Sequence, residues 1–303
     1  MPYLRLLGGQ VAIGAAAIFA RYALTGAGPL AVSAARLVLA ALVLLLFAGG
    51  LGRLSPRREI AFSLAGLALA VHFATWIASL EYTSVAISTL LVTTSPLWTE
   101  TYDIVRERRP PSPAFVLSLV LGFAGVALVA LHGSSAAPPV RGHELLGDAL
   151  ALAGSFAIGV YLLIVRAAGA NAGSARLATR AIVVRTYGWA ALALVIVASL
   201  AHEAPPGPAN LVAWGGIVAM ALVSQLLGHT ALNAALRDFR PSVVALSTLA
   251  EPVAAAALAA LLFGELLGPA TIAGGALVLT SVAIALATPR SGAAEALSTE
   301  ISS

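Results

Sequence analysis

Long apolar runs, interrupted at short intervals by charge, proline or glycine, fill this sequence from residue 7 to residue 288. A helix needs about 17–25 apolar residues to cross a bilayer. Ten runs approach that length: 7–24, 30–49, 60–80, 84–103, 113–132, 147–166, 178–200, 209–229, 241–263 and 269–288. Turn-forming residues mark the gaps, as at Gly26 to Pro29, Pro110 to Pro113, Pro138-Pro139, Pro205 to Pro208 and Gly264 to Pro269. Several runs also carry a polar stripe at helical spacing. On the third, His72, Thr75, Trp76 and Ser79 share one face; on the eighth, Gln225, His229 and Asn233 do. The first offers Gln10, Gly14, Ala17 and Arg21, and the sixth Ser155, Gly159, Leu162 and Arg166. The fourth has a wide arc of Ser88, Thr89, Thr93, Ser95, Trp98 and Tyr102, and the ninth a cluster of Ser247, Thr248 and Glu251. Polar side chains are costly in lipid and turn toward a bundle interior or a wet cavity. The pattern therefore predicts a central cavity walled by spans 1, 3, 4, 6, 8 and 9. Spans 5 and 10, nearly all apolar, are expected at the periphery, facing lipid or a second copy, so that the chain acts as a monomer or as a homodimer through them.

The second half of the chain repeats the first. Ser84-Val-Ala-Ile-Ser-Thr-Leu-Leu-Val-Thr-Thr-Ser-Pro96 resembles Ser242-Val-Val-Ala-Leu-Ser-Thr-Leu-Ala-Glu-Pro252. A shift of 156 residues lays Pro96 on Pro252, Leu80-Glu81 on Leu236-Arg237 and Val126-Ala127 on Val282-Ala283. A shift of 145 lays Gly14 on Gly159 and Arg21 on Arg166, and one of 149 lays Arg36 on Arg185. Five spans per half is an odd number, so duplicated halves lie in opposite orientations. Inverted repeats of this kind build secondary transporters, with the site between the halves near the bilayer midplane. The expected organisation is a first five-helix repeat over 1–133, a connecting segment 134–146, an inverted second repeat over 147–288, and a small polar cytoplasmic tail, expected to be disordered, over 289–303.

Composition agrees. Sixty per cent of residues are hydrophobic, 10% are charged, and mean hydropathy is +0.96. Soluble domains carry about 25% charged residues. The fold class is thus all-α, a polytopic membrane protein of ten transmembrane helices in two inverted five-helix repeats. The start, Met1 to Arg5, leads into an apolar run without a small-residue cleavage site, and reads as an uncleaved first span. The sequence pI of about 10.0 raises nucleic acid as a partner, but the basic residues sit in short loops between spans. Membrane topology accounts for them, and no nucleic acid is expected. Placing the N-terminus in the cytoplasm puts thirteen arginines in inside loops and only Arg141 outside. That bias orients the chain with both termini inside, in a bacterial inner membrane. With no cysteine there is no disulfide and no thiolate site.

Three arginines, Arg21, Arg36 and Arg185, and two acids lie within spans, and Arg166 stands at the end of the sixth. Arg21 and Arg36 fall in the outer half and Arg166 and Arg185 in the inner half. Each has three readings: it snorkels, pairs with a carboxylate, or holds a substrate carboxylate. Glu251 lies about ten residues into span 9, near the midplane. It is a proton-coupling carboxyl or the partner of Arg185 or another arginine. Glu100, deep on span 4, is expected to reach the inner rim. Pro96 and Pro252 each remove a ladder bond, freeing carbonyls around Val92 and Thr248. They read either as hinges for two gates or as static packing kinks. The substrate-cavity candidates are Gln10, His72, Trp76, Ser79, Thr93, Trp98, Tyr102, Ser155, Gln225, His229, Asn233 and Ser247. Packing competes for the hydroxyls, and an interfacial aromatic belt for Trp98 and Tyr102.

Over about residues 8–288 the chain resembles the ten-span drug/metabolite transporter superfamily, of the EamA type. The resemblance rests on Ala-Leu-Arg-Asp-Phe-Arg-Pro-Ser-Val-Val-Ala-Leu-Ser-Thr-Leu-Ala-Glu-Pro (235–252) and Phe-Gly-Glu-Leu-Leu (263–267), with a weaker first copy in Glu-Tyr-Thr-Ser-Val-Ala (81–86) and Ser95-Pro96. The proline-to-Gly-Glu spacing holds in the second half, where Pro252 precedes Glu265, and not in the first, where Pro96 precedes Glu107 without a glycine. Gly8-Gly9-Gln10 stands where the first span of the family often opens with an aromatic residue and glycine. The overall look implies an exporter of amino acids, aromatic ones especially.

Gly-x-Ser-x-Gly, His-Glu-x-x-His and the phosphate-loop pattern are all missing from the sequence, so no enzyme activity, cofactor or ATP-driven step is expected. A carrier of small organic metabolites is the leading class. Drugs or amphipathic cations and nucleosides are the other substrates within it. The contrasting class is a non-transport membrane protein, a ligand sensor or structural partner.

Overall fold

The computed structural model describes residues 2–47, 52–108, 110–132, 142–170, 178–263 and 268–287. Arg109, Arg141, Arg176, Arg290, most of the connecting segment, the Gly264 to Leu267 motif and the tail lie outside the described residues. Every regular element among them is helical. In chain order these are α1 (Pro2–Gly14), α2 (Ala16–Leu24), α3 (Pro29–Leu46), α4 (Pro56–Tyr82), α5 (Val85–Val92), α6 (Ser95–Glu107), α7 (Pro113–His132), α8 (Glu144–Ala170), α9 (Thr179–Leu200) and α10 (Leu211–Ala219). A π-helix, Met220–His229, follows, then α11 (Thr230–Ala235), α12 (Pro241–Ser247), α13 (Ala250–Phe263) and α14 (Pro269–Ala287).

Local chemistry sets the helix starts. Pro29, Pro56 and Pro241 open α3, α4 and α12, where a missing N–H costs nothing. The Ser84 and Asn210 side chains accept backbone N–H groups of Ile87 (3.2 Å) and Ala213 (3.1 Å), capping α5 and α10. The start of α3 is capped from far away in sequence. Glu203, in the loop after α9, accepts from the Leu30 and Ala31 N–H groups at 2.8 and 2.9 Å. A carboxylate there also complements the helix dipole.

Among the described residues, eight helical segments are long and apolar enough to cross a membrane, counting α1–α2, α10–α11 and α12–α13 as one each, and Pro113–Val129 is a shorter apolar helix. The expected fourth span differs. It is two short helices, α5 and α6, and α6 carries Glu100, Asp103, Arg106 and Glu107 in its last two turns. Packing is paired. The longest contacts run between α4 and α8, and between the α1–α2 unit and the α10–α11 unit. Likewise α5 and α6 lean on α8 as α12 and α13 lean on α1, while α3 packs on α9 and α7 on α14. Exchanging the first five expected spans for the last five maps this set of contacts onto itself. The all-helical fold thus fits two repeats.

Spans 5 and 10, expected at the periphery, pack on each other and keep exposed apolar faces. Their small-residue faces meet each other within the chain. A methyl group on Gly125 would come within 2.5 Å of the Gly274 carbonyl, and one on Gly274 within 2.6 Å of the Gly125 carbonyl. The Ser281 hydroxyl donates to the Ser118 carbonyl across the same seam at 2.6 Å. Close backbone approach is how helices associate in lipid, where burial of apolar surface supplies no drive. A second copy could meet only the remaining faces, where Val116, Val120, Ile272 and Leu279 are exposed.

Candidate functional site

Spans 4 and 9 break at matching places, and the breaks face one space. In span 4 the turn at Thr93-Thr94 separates α5 from α6, and in span 9 the turn at Thr248-Leu249 separates α12 from α13. Pro96 and Pro252 cause this, since neither has an N–H to continue the ladder. The chain tightens to three-residue spacing on both sides: Thr94 N donates to Leu91 O at 3.2 Å, Leu97 N to Thr94 O at 3.0 Å, and Leu249 N to Leu246 O at 3.1 Å. The Thr248 carbonyl, which Pro252 cannot serve, accepts instead from the Glu251 N–H at 2.9 Å. Hydroxyls at the breaks bond the preceding turn rather than the freed carbonyls. Thr93 donates to Thr89 O, Thr94 to Leu91 O, Ser247 to Val244 O and Thr248 to Ala245 O, at 2.7–2.9 Å.

A cavity of about 30 Å³ lies beside these breaks. Ile13 and Ala16 line it from span 1, His72 and Trp76 from span 3, Val92, Thr93 and Ser95 from span 4, Ile158 from span 6, His229 and Leu232 from span 8, and Thr248 and Glu251 from span 9. Ser95 and Glu251 are repeat mates, each at the start of a half-helix. The N-terminal end of α13 favours negative charge at Glu251. The space holds about two waters, each needing roughly 10–15 Å³. Pockets for drug-sized ligands run to about 300–1,000 Å³. An organic solute therefore enters only if the walls part.

Aromatic rings form one wall. The His72 and Trp76 rings lie parallel, 6.2 Å between centroids and 5° between planes. His229 approaches His72 edge-on at 6.2 Å and Phe73 at 5.1 Å. A 2.9 Å hydrogen bond joins His72 Nδ1 and the Gly154 carbonyl of α8. Behind this wall Arg36 Nη2 donates to Gln225 Oε1 at 2.8 Å, and Tyr161 OH donates to Asn233 Oδ1 at 2.7 Å. Trp76 Nε1 and His229 Nδ1 are buried without a hydrogen-bond partner, as are Gln10 Oε1 and Gln225 Nε2. An apolar interior seldom leaves so many polar atoms unpaired; such clustering belongs to sites completed by something else.

Of the residues singled out in sequence, His72, Trp76, Thr93, His229 and Glu251 reach the cavity. Others are engaged nearby. Gln10 Nε2 donates to Ser247 Oγ at 2.7 Å, tying spans 1 and 9 together. Ser79 and Ser88 hydroxyls meet at 2.6 Å. Ser155 Oγ takes the Trp98 indole N–H at 3.1 Å and lies 2.8 Å from the Thr94 hydroxyl. Trp98 and Tyr102 stay more than a third exposed, and Tyr102 OH accepts from Arg106. Arg185 does not pair with Glu251. Its Nε meets Glu59 at 3.1 Å and its Nη2 the Gly52 carbonyl at 2.7 Å, pinning the start of span 7 to the start of span 3. Phe73 escaped sequence reasoning because it is apolar, although it falls one place from His72 on the same helix. The π-helix escaped too; the four-residue spacing of Gln225 and His229 suits either helix type.

A second pocket, about 390 Å³, opens where the ends of spans 4 and 10 meet the starts of spans 5 and 9. Glu100, Asp103, Glu107, Ser242 and Arg240 line it with Tyr3, Phe115 and Phe239. Arg240 bridges to Asp103 at 2.9 Å and to Glu107 at 3.4 Å, so the end of span 4 and the start of span 9 are joined there. It is larger than the central cavity, and Glu100 and Asp103 are buried in it, Asp103 in the ion pair with Arg240. Polar atoms of Trp76 and His229 that are buried without a partner lie at the central cavity, between the breaks.

A lipid-spanning helical bundle with paired halves and a polar cavity at their junction is a membrane transporter, and an integral membrane protein. The chain belongs to the EamA-like transporter family, whose model matches residues 1–131 and 145–287. A solved structure titled only as a crystal structure of a protein is similar in fold, with a TM-score of 0.73 at 16% identity over 94% of this chain and 96% of that one. No curated protein matches the sequence.

Proposed function

We propose that this protein is a ten-crossing secondary carrier that exports small organic metabolites, aromatic amino acids foremost, by alternating access. Both termini would be cytoplasmic, in a bacterial inner membrane. The observation that carries this reading is the meeting of two broken helices at one cavity walled by Trp76, His72 and His229. Broken half-helices at the junction of inverted repeats bind substrate in carriers and are rare elsewhere. The stacked rings offer a flat apolar surface with polar edges, which suits an aromatic side chain. The cavity's small volume fits a closed stage of the cycle.

Because the chain has no cysteine, single introduced cysteines report access directly. A cysteine at position 141 should react with an impermeant thiol reagent only from outside, and one at 240 only from inside. Thr93→Cys, at the central cavity, should react from both sides in turn, with a transported solute changing the ratio. Reaction from one side only, in every condition, would rule out alternation.

Glu251 is the proposed coupling carboxyl. It lines the cavity, and no arginine pairs with it among the described residues. Glu251→Gln should leave counterflow intact and abolish the pH dependence of net flux. Wild-type flux that ignores pH would remove the coupling role.

A further inference from the structure

Arg36 stands apart from the other arginines within spans. Arg185 has Glu59, and Arg166 Nη1 donates to the Leu236 carbonyl. Arg21 is partly exposed, although its Nε and Nη2 are buried with no hydrogen-bond partner. Arg36 is fully buried. Its guanidinium carbon lies 4.0 Å from the centre of the Phe73 ring, and Nη2 donates to Gln225. Nε and Nη1 are buried with no hydrogen-bond partner. Arg36 makes no ion pair among the described residues; Glu59 pairs with Arg185, and Asp103 and Glu107 with Arg240.

A guanidinium stays charged, and a lone charge away from water is among the costliest groups a membrane protein carries. A neutral amide and a ring face offset part of that cost and leave donors aimed at nothing. Those donors lie one layer behind the cavity. Phe73, on which Arg36 stacks, touches His72 at 4.7 Å and His229 at 5.1 Å between ring centroids. Gln225, which holds Arg36, is one turn of the π-helix before His229. Movement of Phe73 and His229 as the cavity widens would bring Arg36 into its wall.

We propose that Arg36 is an anion anchor: the carried solute bears a carboxylate, which accepts from the free guanidinium nitrogens and supplies the counter-charge this site lacks. Trp76 takes the aromatic body of the same solute, and Gln225 is a positioning residue that aims the guanidinium. This rests on the carrier reading and narrows its substrate class. It excludes amphipathic cations and uncharged nucleosides as good substrates.

The test uses the purified full chain in liposomes loaded with L-tryptophan, following exchange of labelled L-tryptophan. Tryptamine, which lacks the carboxylate, and indole-3-propionate, which lacks the amine, serve as competitors. Wild-type exchange should be inhibited by indole-3-propionate about ten-fold more strongly than by tryptamine, the scale of one charge-assisted hydrogen bond. Arg36→Gln should erase that preference while Arg36→Lys keeps part of it. If the glutamine variant fails to fold, the wild-type ranking still decides. Equal inhibition by both competitors in the wild type overturns the anchor alone, as does a glutamine variant that weakens both equally. Recovery of exchange in Arg36→Gln/Glu251→Gln relative to Arg36→Gln alone also overturns it, because Arg36 would then answer Glu251 during the cycle. No exchange of tryptophan at all overturns the carrier reading for aromatic amino acids, and the anchor falls with it.

Discussion

Trp76→Ala is expected to weaken aromatic solutes by about 1–3 kcal/mol in site affinity, through lost burial and ring contact. The indole is nearly buried, lies parallel to His72, and borders the central cavity. Its Nε1 has no protein partner, so the side chain is held by packing, with one polar atom left for a solute. Removal should therefore act on aromatic solutes more than on aliphatic ones. Trp76→Phe should recover much of the loss, since it restores a ring without the N–H. Binding measured by thermal shift or calorimetry in detergent decides this. Unchanged aromatic affinity in a well-expressed Trp76→Ala protein takes Trp76 out of the site.

Pro96→Ala and Pro252→Ala should slow transport more than they weaken binding. Proline inside a helix costs about 3 kcal/mol or more. Alanine removes that penalty from the straight form of each span, shifting a bent-to-straight ratio by on the order of 100-fold. Both spans are interrupted in this structure, at 93–94 and 248–249. A carrier that must bend each span in turn would then dwell in one facing state, with its recognition residues unaltered. Equilibrium binding and liposome flux, measured side by side on each variant, separate the outcomes. Normal flux in both variants makes the prolines static kinks. Equal loss of binding and flux means that they shape the site instead.

The sequence carried the helical architecture clearly because lipid imposes one rule along the whole chain: backbone polar groups must be bonded within the segment. Apolar length, turn residues and the two prolines therefore marked helices and breaks. The polar stripes marked His72, Trp76, Thr93, His229 and Glu251 as inward-facing, and these converge on the cavity. Partner identity was harder to read, because an arginine in a span announces a need and not its solution. Arg185 found Glu59 at the membrane edge, while Arg36 found Gln225 and Phe73. The mutual packing of spans 5 and 10 was hard to read, since glycines and single serines such as Ser118 and Ser281 on an apolar helix read alike for lipid and for helix contact. Past its proline the fourth span loses apolar character, because α6 turns charged as it nears Arg240, where Asp103 and Glu107 serve as partners.

The central claim is that this member of the EamA-like family moves a small organic solute through itself. Counterflow tests it most directly: purified protein in liposomes preloaded with unlabelled aromatic amino acid, with labelled amino acid added outside at trace level. The account predicts transient accumulation of label above its outside concentration, saturable by excess solute and absent from protein-free liposomes. Label that never exceeds simple equilibration, across amino acids, nucleosides and amphipathic cations alike, would contradict it.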